Sequence, residues 1–326
     1  MPSNRLFQSI RETANALACL GATAACAFAQ NPAPTPDLRD LGRMTAPTTD
    51  ATRFSGNPSV ASPASAASYA AETAESEFGE QRILQRRAHV EPWSASAGID
   101  LFRTDNVALT SKGEQDDWYL RYGMAASYTN RVRGPLFFDV SLQHYLFRYS
   151  EFDVLDFDLT RLDTGFLLQL PKLADTFFFG RYRLEYLTSP GFGDDLLTNH
   201  TADFGLQKIW KVSRGQQVFA HLSAAPVLST DPGSSARDEY SVSLGYSLRL
   251  TERISTSISY RGSFFHYRER SREDWNHVLA ASVTYDATDW LRLGITAAYT
   301  ENLSNTPAGE YRNLTPGAGF LLRIAF

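Results

Sequence analysis

The sequence predicts an all-β chain: a transmembrane, antiparallel, up-and-down β-barrel of about twelve strands behind a disordered N-terminal segment. Three observations predict it. From Trp93 onward apolar and polar residues alternate with period 2, the mark of two-faced strands. The face opposite the apolar one is built of Ser, Gly, Thr and Arg, a poor outer surface but a plausible lining for a wet lumen. The connections between strands alternate between short and long.

Bulk composition agrees only when read as an average. The 326 residues are 43% hydrophobic and 21% charged, with a mean hydropathy of −0.29. No stretch beyond the extreme N-terminus approaches the ~18–20 apolar residues of a membrane-spanning helix. A barrel with one face toward lipid and one toward water averages to the same soluble-looking value. The net charge of −5 argues against a general nucleic-acid binder.

Residues 1–29 read as a secretory signal peptide. Arg5 and Arg11 supply the positive region, Ala14 to Ala25 the short apolar run, and Ala27-Phe28-Ala29 the small-x-small cleavage pattern. Both cysteines, Cys19 and Cys26, fall inside it. The remaining chain then has no thiol for a disulfide, a metal or a nucleophile, and its net charge becomes −6. Residues 30–91 form a Pro/Ala/Ser-rich segment with too few large apolar side chains to offset ordering entropy. Within it, 71–88 could form a short charged helix on Phe78, Ile83 and Leu84, or a plug or periplasmic contact.

The barrel domain spans 92–326. Strands are predicted at 93–103, 117–129, 136–148, 156–169, 176–188, 199–211, 217–228, 239–250, 254–265, 276–286, 290–301 and 315–326. The segment 240–250 is the clearest, with Tyr240, Val242, Leu244, Tyr246 and Leu248 on one face and Ser241, Ser243, Gly245, Ser247 and Arg249 on the other. The fourth strand is ambiguous, because Phe157 and Leu159 lie on the opposite face from Leu162, Phe166 and Leu168, which leaves room for a bulge or a further break. Short connections follow the even strands, and longer ones such as 104–116, 229–238 and 302–314 follow most odd strands. Trp93, Trp118, Trp210, Trp275 and Trp290 stand at or near predicted strand ends, where membrane interfaces favour them.

The last strand is the most specific feature. Phe326 ends it, with Ile324, Leu322, Phe320 and Ala318 at alternate positions before it. This resembles the C-terminal signature of Gram-negative outer-membrane β-barrel proteins. The resemblance implies integral insertion in the bacterial outer membrane, with residues 30–91 in the periplasm. It also implies outer-membrane lipids and the barrel-assembly machinery as partners, the latter engaged through Phe320, Leu322, Ile324 and Phe326. It implies no particular cargo.

The candidate chemistry lies on the polar face. Arg outnumbers Lys by 27 to 4. The register turns Arg121, Arg181, Arg183, Arg249, Arg261, Arg292 and Arg323 inward, together with Asp100, Asp139, Glu185, Asp203 and Glu239. Two readings follow: a salt-bridge network that fills and stiffens a narrow barrel, or an arginine ladder selecting small anionic solutes. A phospholipase-type site around Ser271, Asn276, His266 and His277 is a weaker alternative, since no His-x-Ser-Asn-Gly pattern occurs. The six His show no ligand spacing for a metal, and no P-loop, GxSxG or dinucleotide fingerprint is present. The expectation is therefore a passive channel for small polar or anionic solutes, without metal, cofactor or catalytic residues. The alternative outside enzymology is a structural or plugged barrel with an export or anchoring role.

Overall fold

Period-2 strands that expose an apolar row to lipid must find hydrogen-bond partners on both edges, because hydrocarbon supplies none. The computed structural model, which describes residues 92–173, 176–213 and 215–325, meets this by closing the sheet on itself. The predicted signal peptide, the whole segment 30–91 and Phe326 lie outside the described residues. The strands are β1 (Trp93–Thr104), β2 (Asp117–Arg133), β3 (Leu136–Tyr149), β4 (Phe157–Leu170), β5 (Thr176–Thr188), β6 (Asp195–Ser213) and β7 (Gln216–Ala225). They continue with β8 (Val227–Asp231), β9 (Arg237–Arg249), β10 (Ile254–Tyr267), β11 (Glu273–Asp286), β12 (Leu291–Ser304) and β13 (Tyr311–Ala325).

All pairings are antiparallel between chain neighbours, and β1 closes on β13 from Ser94↔Ala325 to Phe102↔Gly317. The thirteen segments make twelve staves, because β7 and β8 are one stave interrupted at Pro226, and both pair with β6. Proline has no N–H to give the ladder. Its carbonyl still accepts from the Ala202 N–H at 3.1 Å, so the wall is held across the break.

The two ends differ. At one end the staves are joined by tight connections, such as Gly134-Pro135 between β2 and β3, where Gly134 takes a φ of 56° that a Cβ would oppose. At the other end stand the connections 105–116, 150–156, 189–194, 232–236, 268–272 and 305–310. Apart from 105–116 and 150–156, these loops are shorter than the sequence suggests, because the ladders run on into charged residues. β11 starts at Glu273, β10 ends at Tyr267 and β13 starts at Tyr311. A solvated strand tolerates such residues once its neighbours pair with it, and hydropathy alternation cannot register that extension.

The fourth stave resolves its own ambiguity. β3, β4 and β5 pair without a register shift through all of 157–170. Leu162 and Phe166 face outward, whereas Phe157 and Leu159 are buried inside the barrel among Phe102, Tyr119, Phe147, Tyr149, Leu187 and Leu197. No bulge is needed, because the lumen itself is apolar at that end. Outward rows elsewhere are apolar, as in Val242-Leu244 and Leu293-Ile295. All five tryptophans lie outside at stave ends, 43–55% exposed, with Trp93, Trp210 and Trp290 at the turn end and Trp118 and Trp275 at the loop end.

Inside, one glycine sets a contact. Gly165 lies between Asp139 on β3 and Arg181 on β5, and a Cβ there would come within 2.2 Å of the Gly180 carbonyl and 2.7 Å of the Arg181 Cγ. Its bare surface lets Arg181 pass over β4 and reach Asp139 at 3.4 Å. Gly294 on β12 also faces inward, but a Cβ there meets nothing closer than 3.8 Å. Gly165→Ala should lower stability against urea in detergent by about 1–3 kcal/mol, while Gly294→Ala should stay within about 0.5 kcal/mol. Equal effects of the two would contradict the account of Gly165.

Candidate functional site: the barrel interior

Three kinds of lining divide the interior. The middle of the β1–β6 wall is ionic, and its pairs come straight from register. Asp100 sits opposite Arg121, and Arg161 and Asp163 sit opposite Glu185 and Arg183. Directly opposed residues on one face of a sheet are close enough to pair. Each of the three makes a 2.7 Å ion pair. Arg183 also reaches Asp203 at 3.5 Å, and Asn199 donates to the second oxygen of Glu185 at 2.9 Å. Arg121 is further held over the rings of Phe102 and Tyr145.

On both sides of this ionic band the same wall is apolar. The cluster of Phe102, Tyr119, Phe147, Tyr149, Phe157 and Leu159 lies toward the loops, and a smaller one of Leu167, Phe177 and Phe179 lies toward the turns. The opposite wall, from β9 to β12, carries Ser241, Ser243, Ser255, Ser257, Ser259, Ser282, Thr284 and Thr296 toward the turn end, all partly exposed inside the barrel. Higher on that wall the lining becomes a packed polar network. Arg272 bonds both oxygens of Asp274, at 2.9 and 2.5 Å. Asn302 donates to Asp274 at 3.0 Å, and Asn276 to Asn302 at 3.2 Å. Arg237 is fully buried, stacked 4.0 Å over Phe265 and bonded to the Tyr267 hydroxyl at 2.9 Å.

The residues predicted to line the lumen separate into two groups. Arg121, Asp139, Arg181, Arg183, Glu185 and Asp203 belong to the ionic band, each with a carboxylate or guanidinium partner. Arg249, Arg261, Arg292 and Arg323 face inward on the other strands. Arg292 is paired with Asp286 at 2.6 Å. Arg249 is exposed at the turn end, and Arg261 stands among the serines, opposite Ser243. Arg161, Asp163 and Asn199 escaped the sequence reading, although the first two lie on the fourth strand. Fixing that strand's faces from Leu162 and Phe166 turns both inward. Arg237 and Asp274 lie in stretches assigned to loops, and no sequence signal marks them.

The predicted assembly residues Phe320, Leu322 and Ile324 line the outside, 38%, 38% and 64% exposed. The phospholipase-type residues are not brought together. Asn276 faces inward onto Asn302, whereas His277 faces outward and bonds the Tyr260 hydroxyl at 2.8 Å. His266 lies 3.4 Å from Glu273. Among the described residues no group of three or more His, Cys, Asp or Glu is placed to hold a metal ion.

A closed twelve-stave antiparallel barrel, apolar and tryptophan-girdled outside, with its ion pairs and hydroxyl side chains inside, defines a β-barrel of the outer-membrane type. No protein-family model and no curated protein matches the chain. Solved structures resemble it at low identity. The COG4313 outer membrane channel from Pseudomonas putida F1 is 12% identical, with a TM-score of 0.49 over 71% of this chain and 95% of the other. The KdgM porin in complex with disordered oligogalacturonate is 7% identical, with a TM-score of 0.40 over 70% and 98%. The NanC porin is 10% identical, with a TM-score of 0.40 over 69% and 98%. These are likenesses of shape and decide nothing about what passes through this barrel.

Burial of the ionic band makes its pairs costly to break singly. Arg183→Ala leaves Asp163, 1% exposed at its side chain, without its closest partner. That variant should lose roughly 3–5 kcal/mol, and the double variant Asp163→Leu/Arg183→Met much less. Urea unfolding of the folded barrel reads both. A double variant as unstable as the single one would contradict the pairing.

Proposed function

We propose that the chain is a passive channel of the bacterial outer membrane for small polar or anionic solutes, its turn end toward the periplasm. The observation that carries this is the partly exposed hydroxyl wall between β9 and β12, facing a wall whose charges are largely consumed in ion pairs. A barrel filled only to be rigid has no need of a wall of small hydroxyl side chains along a third of its circumference. Selectivity in this reading belongs to Arg249, Arg261 and Arg323 on the strands bearing that wall or next to it, more than to Arg121, Arg181 and Arg183 on the opposite wall. Arginine suits carboxylate and phosphate through its planar donor fork. Insertion is served by the outward row Phe320, Leu322, Ile324 and the terminal Phe326, with the barrel-assembly machinery and outer-membrane lipids as partners.

One observation favours a second reading, a closed barrel with a structural, export or anchoring role: interior side chains at the loop end, Asn302, Asn313 and Phe265 among them, are completely buried. Planar-bilayer recording under a salt gradient separates the two. The channel reading expects ion-conducting events with a reversal potential on the anion side. Arg261→Glu should cut the anion-to-cation ratio by about twofold or more. Silence from a correctly folded barrel and from its loop variants supports the closed reading, and an unaltered ratio in Arg261→Glu removes that residue from selectivity.

A further inference from the structure

The connection 105–116 does not stay outside the barrel. Its first half turns into the loop-end mouth: Asn106 and Val107 are 0% exposed and Leu109 5%. Val107 and Leu109 belong to the same apolar cluster as Phe102, Tyr119, Tyr149 and Tyr311. Its second half, Ser111 to Asp116, is exposed. Two hydrogen bonds between Asp105 and Leu314 anchor the start of the inserted half, and most of the others converge on one residue. The Asn106 amide donates to the carbonyls of Thr110 at 2.7 Å and Arg312 at 2.8 Å, and its oxygen accepts from the Thr110 N–H at 3.0 Å. The Val107 N–H donates to the Gln115 carbonyl at 2.8 Å. At the surface Arg103 bonds Asp116 at 2.9 Å, and that hydrogen bond holds the Asp116 carboxyl below its ordinary pKa.

Leu109 is the informative residue. Its φ is +52°, in the left-handed region that disfavours a bulky residue with a Cβ. A strained backbone persists only where surrounding contacts impose it. Here those contacts are the apolar cluster inside the mouth. The inserted loop is thus held by interior packing against its own backbone preference, and it stands between the loop-end exterior and the partly exposed hydroxyl wall.

We propose that residues 105–116 are a displaceable seal of the loop-end mouth. Val107 and Leu109 act as the stopper, Asn106 as the hinge clamp, and the exposed Ser111–Asp116 half as the part that moves first. Withdrawal relieves the strain at Leu109, uncovers the aromatic cluster and joins the loop-end exterior to the lumen. The inference rests on the channel reading, since a seal has meaning only over a route.

Two readouts test it, in a Cys19→Ala/Cys26→Ala background that removes the native thiols. The first is the labelling rate of Val107→Cys by a water-soluble thiol reagent in bilayer-embedded full chain, against that of Ser111→Cys. The seal expects labelling about 100-fold slower at 107 yet proceeding to completion without unfolding. Equal rates, or no labelling while the barrel stays folded, overturn it. The second readout is conductance of Leu109→Asn, which keeps a residue tolerant of left-handed backbone and removes the apolar anchor, and of a chain with 107–114 replaced by two glycines. Heat-dependent gel migration confirms folding of each. Both should raise the open fraction by roughly tenfold or more. Parent and variants conducting alike would overturn the seal and leave the channel standing. Silence from all of them would overturn both.

Discussion

Hydrocarbon offers no hydrogen bonds, and the pairing of β1 with β13 is where this chain meets that constraint. Without it, two rows of unsatisfied N–H and C=O groups would face lipid. Closure fixes the rest. It forces every strand to present one face outward, so the outward rows are apolar and the tryptophans collect at the rims. It also forces everything polar into a confined interior, where each charge needs a partner close at hand.

That confinement explains why the ionic band has the form it has. Three of its pairs are residues directly opposite on adjacent strands, which need no long side-chain excursion. Another, Arg181 to Asp139, skips a strand and needs Gly165 bare to do so. The charges are thereby spent on one side of the barrel. The small hydroxyl side chains of β9 to β12 leave space on the other. The interior is therefore lopsided, and the proposed solute route, selectivity residue and loop-end seal all build on that asymmetry.

The sequence made the barrel legible because the membrane writes period 2 onto every stave: Tyr240 to Leu248 and their serine counterparts declare both faces without any tertiary information. Inward orientation of Arg121, Arg181, Arg183 and Arg261 followed from the same parity. Three things were not legible. Partnership across the wall depends on register, so nothing local could show that Arg161 meets Glu185. An apolar lumen at one end mimics a parity error, which is why Phe157 and Leu159 looked misplaced. The inward turn of 105–116 depends on a hollow assembled from strands far apart in the chain, and the short apolar run Val107-Ala108-Leu109 in an otherwise polar loop does not by itself show which way it turns.

The account stands on the claim that the two faces of each stave meet two different solvents. Cysteines placed one at a time from Ser255 to Tyr260 along β10 test it most directly, in barrels embedded in lipid and probed with a water-soluble and a lipid-soluble thiol reagent. The account predicts strict alternation: Ser255→Cys, Ser257→Cys and Ser259→Cys labelled by the water-soluble reagent, and Thr256→Cys, Ile258→Cys and Tyr260→Cys only by the lipid-soluble one. Uniform labelling along the strand, or alternation with the opposite phase, would contradict it.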